Sequence, residues 1–339
     1  MSESAAGRAW LRAQVLRLRP KLAQRTLGSA GAPVPKVAIV TDSAAALPAA
    51  WLEEFSRNHL LAVVSMPVII GGNVYAEDDA ELESHISLAL AAGTAVSTSR
   101  PSPGQFDSAY RAAAAAGYEA VVSVHISCKL SGTHEAAQVA AARAPLPVHV
   151  LDTQTVGMGQ GRGVQSAVAS AACGGDVAEV LAAARAGADA TRIYFYVPSL
   201  EQLRKGGRIS MASSWLGTFL DLKPILGIRD GTVVPLEKVR SAPKAIGRLQ
   251  ELVLADVAGR GAAAAQLSIH HFGNEPQARE LGLALQRQAP GLAAATLTRL
   301  PAVLAAHAGL GVLVVVVAEE LVPPAVPPAV VPPQQTPAP

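Results

Sequence analysis

Two hydrophobic rhythms alternate along the chain. Runs of consecutive apolar, mostly β-branched residues, such as KVAIVT at 36–41 and the segments 119–126 and 147–151, have the length of strands buried on both faces. Between them, over 49–59 and 105–116, apolar residues recur every three to four positions and predict helices, with Pro48 near the first position of the former. A further apolar run covers 60–70 and stops at the turn signal Gly71-Gly72-Asn73. Strands alternating with helices predict a mostly parallel sheet covered on both faces, whose loops at the carboxyl ends of the strands receive ligands.

From residue 192 onward the rhythm changes. Strand-like runs at 193–197, 232–239, 265–270 and 311–317 surround only two long helical stretches, 243–257 and 276–288. The expected organisation is a basic extension at 1–35, an α/β/α domain at 36–188, a two-layer mixed α/β domain at 189–320 and a tail at 321–339. In the extension, Arg8, Arg12, Arg17, Arg19, Lys21 and Arg25 face one acid, Glu3, with leucines and Trp10 interleaved. That pattern suits a solvated extension, or an amphipathic helix in weak contact with a membrane surface. The tail, which ends VPPAVPPAVVPPQQTPAP, reads as extended polyproline.

Composition narrows the function classes. Half of the 339 residues are hydrophobic and 16% are charged, which is a globular balance. A net charge of +2 with 4% aromatic residues argues against a nucleic-acid binder, which needs a basic face and stacking rings. Cys128 and Cys173 have neither CxxC spacing nor a paired framework, so no zinc site or disulfide scaffold is expected, and a reducing cytoplasm fits. The run GLGVLVVVVA at 309–318 is about half a membrane span and reads as a buried strand.

Several catalytic signatures fail on their letters. GMGQGRG at 157–163 spaces its glycines alternately rather than as GxGxxG, and suits close helix packing. His134-Glu135 is followed by Gln138 where a zinc protease helix needs histidine, and His270-His271 point to opposite faces of a strand. Cys128 stands at a helix entrance, where thiol pKa values fall, or else is a small buried filler.

What remains is a set of anion-facing turns. Ser102-Pro103-Gly104-Gln105 is a capping box, so a helix starts there, and Ser97, Thr98 and Ser99 place hydroxyls before its N-terminus. TDSAAALP, with Thr41 and Ser43, and ISCKLSGTHEAA, with Ser131 and Gly132, are two further strand-to-helix turns rich in hydroxyls. The three are expected along one edge of the parallel sheet. His307, in HAGLG beside Gly309, precedes a strand and suits a carboxylate partner.

Together these segments resemble the DegV family of bacterial fatty-acid-binding proteins over nearly all of 36–320. The resemblance rests on TDSAAALP, on TSRPSPGQF with Arg100 in place of the usual glutamine, and on SCKLSGTHEAA. It continues through the Asp152-Thr153 stretch leading to the glycine-rich helix start, LRKGGRIS, LKPIL, KVR and HAGLG, in the family's order. It implies a two-domain fold and one long-chain fatty acid per chain, with no catalysis and no cofactor. The fatty acid's carboxylate is expected on Ser99 and near His307, Thr98 and Gly309, with Thr41, Ser43, Ser131 and Gly132 as further head-group or tunnel loops. Arg208 and Arg240 match residues expected to dock a separate fatty acid kinase; a salt bridge at the domain interface is the alternative for both. Pro67 and Leu310 depart from the family pattern: proline supplies no donor at the second head-group position, and leucine replaces the proline of the histidine turn. The same anion site also suits an enzyme or regulator that binds a phosphorylated small metabolite.

Overall fold

The computed structural model describes residues 34–56, 59–77, 79, 81–209 and 222–319. The basic N-terminal residues and the proline-rich tail lie outside the described residues. The described chain forms two α/β domains, one on a parallel sheet and one on a mixed sheet.

In the first domain β1 (Val37–Asp42), β2 (Leu61–Val64), β6 (Ala120–His125) and β7 (Val148–Asp152) pair in parallel, in the order β2-β1-β6-β7. β1 and β6 are buried at every position, as strands between two helical layers must be. One face packs on α1 (Ala49–Ser56), α5 (Met158–Ala172) and α6 (Val177–Asp189); the other packs on α3 (Pro103–Ala115) and α4 (Thr133–Ala141). The glycines at 157–163 let α5 sit this close: a Cβ on Gly163 would lie 2.8 Å from Ala184 O on α6.

The continuous apolar run at 60–70 is not one strand. β2 ends at Val64 on the edge of the parallel sheet, and Pro67, which has no N–H to donate, stands in the link to the next strand. β3 (Val68–Ile70), β4 (Asn73–Tyr75) and β5 (Val96–Thr98) make a small antiparallel sheet, with α2 (Leu82–Ala91) between β4 and β5. Residues 96–98, expected as a loop on the edge of the parallel sheet, therefore form a strand of this separate sheet. The Ser99 N–H continues its ladder to Pro67 O at 3.0 Å. The capping box is present as expected, with Ser102 at the N-cap, Pro103 at N1 and reciprocal bonds to Gln105.

The second sheet runs β10-β9-β8-β13-β11-β12, from β8 (Arg192–Tyr196), β9 (Ile225–Arg229), β10 (Thr232–Glu237), β11 (Ala265–His271), β12 (Thr296–Arg299) and β13 (Leu313–Glu319). Only β11 and β12 pair in parallel; the other ladders are antiparallel. Registers fix the faces: Val314 stands opposite Phe195, and His270 opposite Val314. The alternate residues, among them Tyr196, Leu313, Val315 and Ile269, pack under α8 (Ala242–Arg260) and α9 (Glu275–Gln288). The face bearing Phe195, Val314 and His270 is roofed by the small sheet, α2, the short α7 (Glu201–Lys205) and α10 (Ala302–Ala308).

The β9–β10 hairpin ties the domains together at its tip. Asp230 and Gly231 both take positive φ, 49° and 76°, as a two-residue hairpin turn demands. Ser127 Oγ donates to Gly231 O at 2.7 Å, and Lys129 Nζ donates to Asp230 O at 2.8 Å. Two groups of the first domain thus hold a turn of the second.

Candidate functional site

Between the inner face of the mixed sheet and the roof lies a cavity enclosing about 760 Å³ of space free of atoms, open solvent at its mouth included. Its walls combine Ile193, Phe195 and Val314 from the sheet, Ile228 and Val233 from the hairpin, and Leu300, Val303 and Leu304 around α10. Met66, Ile126, Leu130 and Val156 reach it from loops of the first domain. The sheet residues share one face because period-two alternation places them there.

Polar side chains are few and mostly gathered: Thr98, Ser131, Arg208 and His307, with His270 apart from them. α10 explains the first grouping, since Val303, Leu304 and His307 recur at helical spacing along one stripe and place the imidazole at the helix end. His307 Nε2 lies 2.7 Å from Thr98 Oγ1 on β5. Its Nδ1 edge faces Gly206, where any Cβ would collide with the ring. Gly206 of the LRKGGR segment thereby lets α10 approach α7. Arg208 Nε donates to Leu130 O at 3.0 Å, and its Nη1 to Gly206 O. Among the described residues no carboxylate pairs with Arg208, so the interface salt bridge that was the alternative to docking is not seen there.

Burial, with a smaller repulsion from Arg208, holds His307 down to about 4; burial and the neighbouring His271 do the same for His270. Both are neutral near pH 7, and in the unfolded chain both return to about 6.5. Between pH 6.5 and 4 the unfolded state therefore binds protons that the folded state refuses. Stability should fall with acid by about 1.4 kcal/mol per pH unit for each histidine. Glu77, raised chiefly by burial, acts in the opposite direction near the acid end. Urea unfolding at pH 7, 6 and 5 should show the decline; a flat profile would mean that neither imidazole is held neutral.

The other sequence candidates occupy varied places. Ser99 is exposed on the loop after β5, and its hydroxyl donates to Arg100 O at 3.0 Å. Thr41 is fully buried, with Oγ1 donating to Val124 O at 2.7 Å. Ser43 Oγ accepts from Met66 N at 3.1 Å and also bonds the Glu77 carboxyl. Neither Thr41 nor Ser43 is among the cavity-lining residues; Ser131 is, with its hydroxyl 2.8 Å from that of Thr133. Gly132 lies under Arg100, which crosses it to pair with Glu135 at 2.7 Å. Gly309, at φ 86°, bonds its N–H to Ala305 O, and Leu310 packs over Gly273. Arg240 is exposed beyond β10.

Cys128 is exposed rather than a buried filler, because the turn after β6 turns it toward Asp152. The hydrogen bond to that carboxylate, followed by burial, pushes its thiol up rather than down. The helix entrance does not make it a thiolate.

Comparison with known proteins decides the family. The DegV family model matches residues 36–320. The chain belongs to the DegV family. It is 42% identical over 281 residues to a DegV domain-containing protein of Streptomyces coelicolor, covering 83% of this chain and 98% of that one. Among solved structures, the DegV family protein of Thermus thermophilus described as fatty acid binding superposes with a TM-score of 0.75 at 30% identity, over 84% of this chain and 100% of that one. DegV of Bacillus subtilis, described as a fatty acid binding protein, gives 0.74 at 25% identity, over 85% and 100%. Among the described residues no cluster of three metal-ligating side chains occurs, and no helix is long and apolar enough to cross a membrane.

Proposed function

We propose that this chain holds one long-chain fatty acid, with its carboxylate among Thr98, Arg208 and His307 and its hydrocarbon in the cavity, and hands it to a separate kinase. The observation that carries the reading is the cavity's polarity: apolar walls with a guanidinium, an imidazole and hydroxyls gathered in one cluster. A carboxylate there gains charge-assisted bonds from Arg208, each worth about 1.5–3 kcal/mol, while apolar walls take the chain. This reading gives Arg208 a direct role in holding the ligand, in addition to any role in docking. Arg240, exposed nearer the outer surface, retains the docking role alone. Ser99 completes the family pattern, but to meet a carboxylate it must give up its 3.0 Å bond to Arg100 O.

Arg208→Ala is expected to weaken fatty acid binding by about 10- to 100-fold, and Ser99→Ala by less. Titration of both variants with a fluorescent fatty acid checks the order. Unchanged affinity in Arg208→Ala would place the carboxylate elsewhere. A phosphorylated metabolite is the weaker reading, because a doubly charged group has one guanidinium to meet it and mostly apolar surface around it.

A further inference from the structure

Thr98 stands on a strand that belongs to neither large sheet, so its place in the cavity wall depends on how the small sheet is anchored. β5 pairs with β3, and β3 hangs from the first domain by the link Ser65-Met66-Pro67 after β2. Pro67 has no N–H, so Met66 supplies the donor that fixes the link. Ser43 Oγ, in the turn after β1, accepts that N–H at 3.1 Å, and Glu77 Oε2 shares it at 3.4 Å. Gln105 Nε2, in α3, donates to Ser65 O at 3.4 Å.

Glu77 stands just beyond β4, and its carboxyl returns to the base of β3, which staples the small sheet to the turn after β1. Because Ser43 Oγ accepts from Met66, its own proton is free to go to the Glu77 carboxyl. Burial, and then the neighbouring Asp42, push that carboxyl up and disfavour its charged form. Among the described residues no cation pairs with it in return. Local costs of this kind gather where function demands them.

The path from the link to the head-group cluster is short. Met66 is itself a buried wall residue. The next residue, Pro67, accepts the Ser99 N–H at 3.0 Å, and the one after it, Val68, stands in register with Thr98. Thr98 Oγ1 in turn meets His307 Nε2 at 2.7 Å. A shift of the link by about 1 Å would carry that pair out of hydrogen-bond range.

We propose that Glu77 is a positioning residue of the head-group site: with Ser43 it anchors Met66 N–H, and so sets Thr98 and Ser99 against His307. This rests on the fatty acid reading and adds to its site a residue that is not among the cavity-lining side chains and acts through the backbone.

Displacement of a fluorescent fatty acid by stearic acid and by stearyl alcohol, which has the same chain and no carboxylate, reads the head group apart from the hydrocarbon. The wild-type chain should bind the acid about tenfold more tightly than the alcohol. Glu77→Ala should lose about tenfold for the acid and leave the alcohol unchanged, and Glu77→Gln, which keeps an acceptor oxygen, should recover most of that loss. Equal loss of both probes in Glu77→Ala, no loss of either, or a loss in Glu77→Gln as large as in Glu77→Ala would overturn the proposal. If Glu77→Ala does not fold, Ser43→Ala removes the other partner of the same N–H and should show the same acid-selective loss; unchanged selectivity there would equally overturn it. A wild-type chain that binds neither probe would remove the fatty acid reading itself.

Discussion

Asp42→Ala should lose about 3–5 kcal/mol of folding free energy, the range for stranding the partners of a buried ionisable group. Asp42 ends β1 and is completely buried. Its Oδ1 accepts from Ala44 N at 3.1 Å; its Oδ2 accepts from His125 Nδ1 at 2.9 Å and Ile126 N at 3.1 Å. The network continues from His125 Nε2 to Ser123 Oγ at 2.7 Å, and from there to Tyr110 OH at 2.9 Å. It links the ends of β1 and β6 to α3, with Phe106 set edge-on to the imidazole at 5.0 Å. Alanine strands three donors in the core, each costing about 1–3 kcal/mol before relaxation. Although the Asp-His-Ser order imitates a nucleophile's triad, all three residues are completely buried and none lines the cavity. The effect should therefore appear as a lowered urea midpoint, and a loss below about 1 kcal/mol would mean that water or another group replaces the carboxylate.

Chain length should dominate ligand affinity. Each methylene moved from water into apolar surroundings contributes about 0.8 kcal/mol, so decanoic acid, with eight methylenes fewer than stearic acid, should bind about 6 kcal/mol more weakly. That is roughly four orders of magnitude. Removing Arg208 acts on the head group alone and should shift both acids by a similar factor. Isothermal titration of the pair in the wild-type chain and in Arg208→Ala checks the size of the effect and its independence. Equal affinity for the two acids would mean that the hydrocarbon is not in the apolar cavity.

The parallel sheet was legible because its central strands are buried on both faces and announce themselves as unbroken runs, as in VAIVTD and AVVSVH. The capping box at Ser102 was legible because its chemistry is local. The small antiparallel sheet was not. Its strands are three residues each, too short to show a period, and one was hidden in the same apolar run as β2. The pair Asp230-Gly231 is a local hairpin signal of the kind that sequence does carry. His307 and Thr98 were named from sequence, but their 2.7 Å contact spans 209 positions and only the fold creates it. Most of the apolar walls escaped because alternation in IYFYV shows that two faces exist without showing which one meets a ligand. The sequence marks Arg208 only by its place in a basic, glycine-rich segment; its position in the cavity wall comes from a turn that stands Gly206 against His307.

The central claim is that a long-chain fatty acid occupies this cavity. Native mass spectrometry of the full chain, followed by denaturing extraction and identification of any released lipid, tests it most directly. The expected result is one added mass per chain that matches a long-chain fatty acid, either carried through purification or taken up when stearic acid is added. A folded protein that carries no lipid and takes up no added stearic acid would contradict the account.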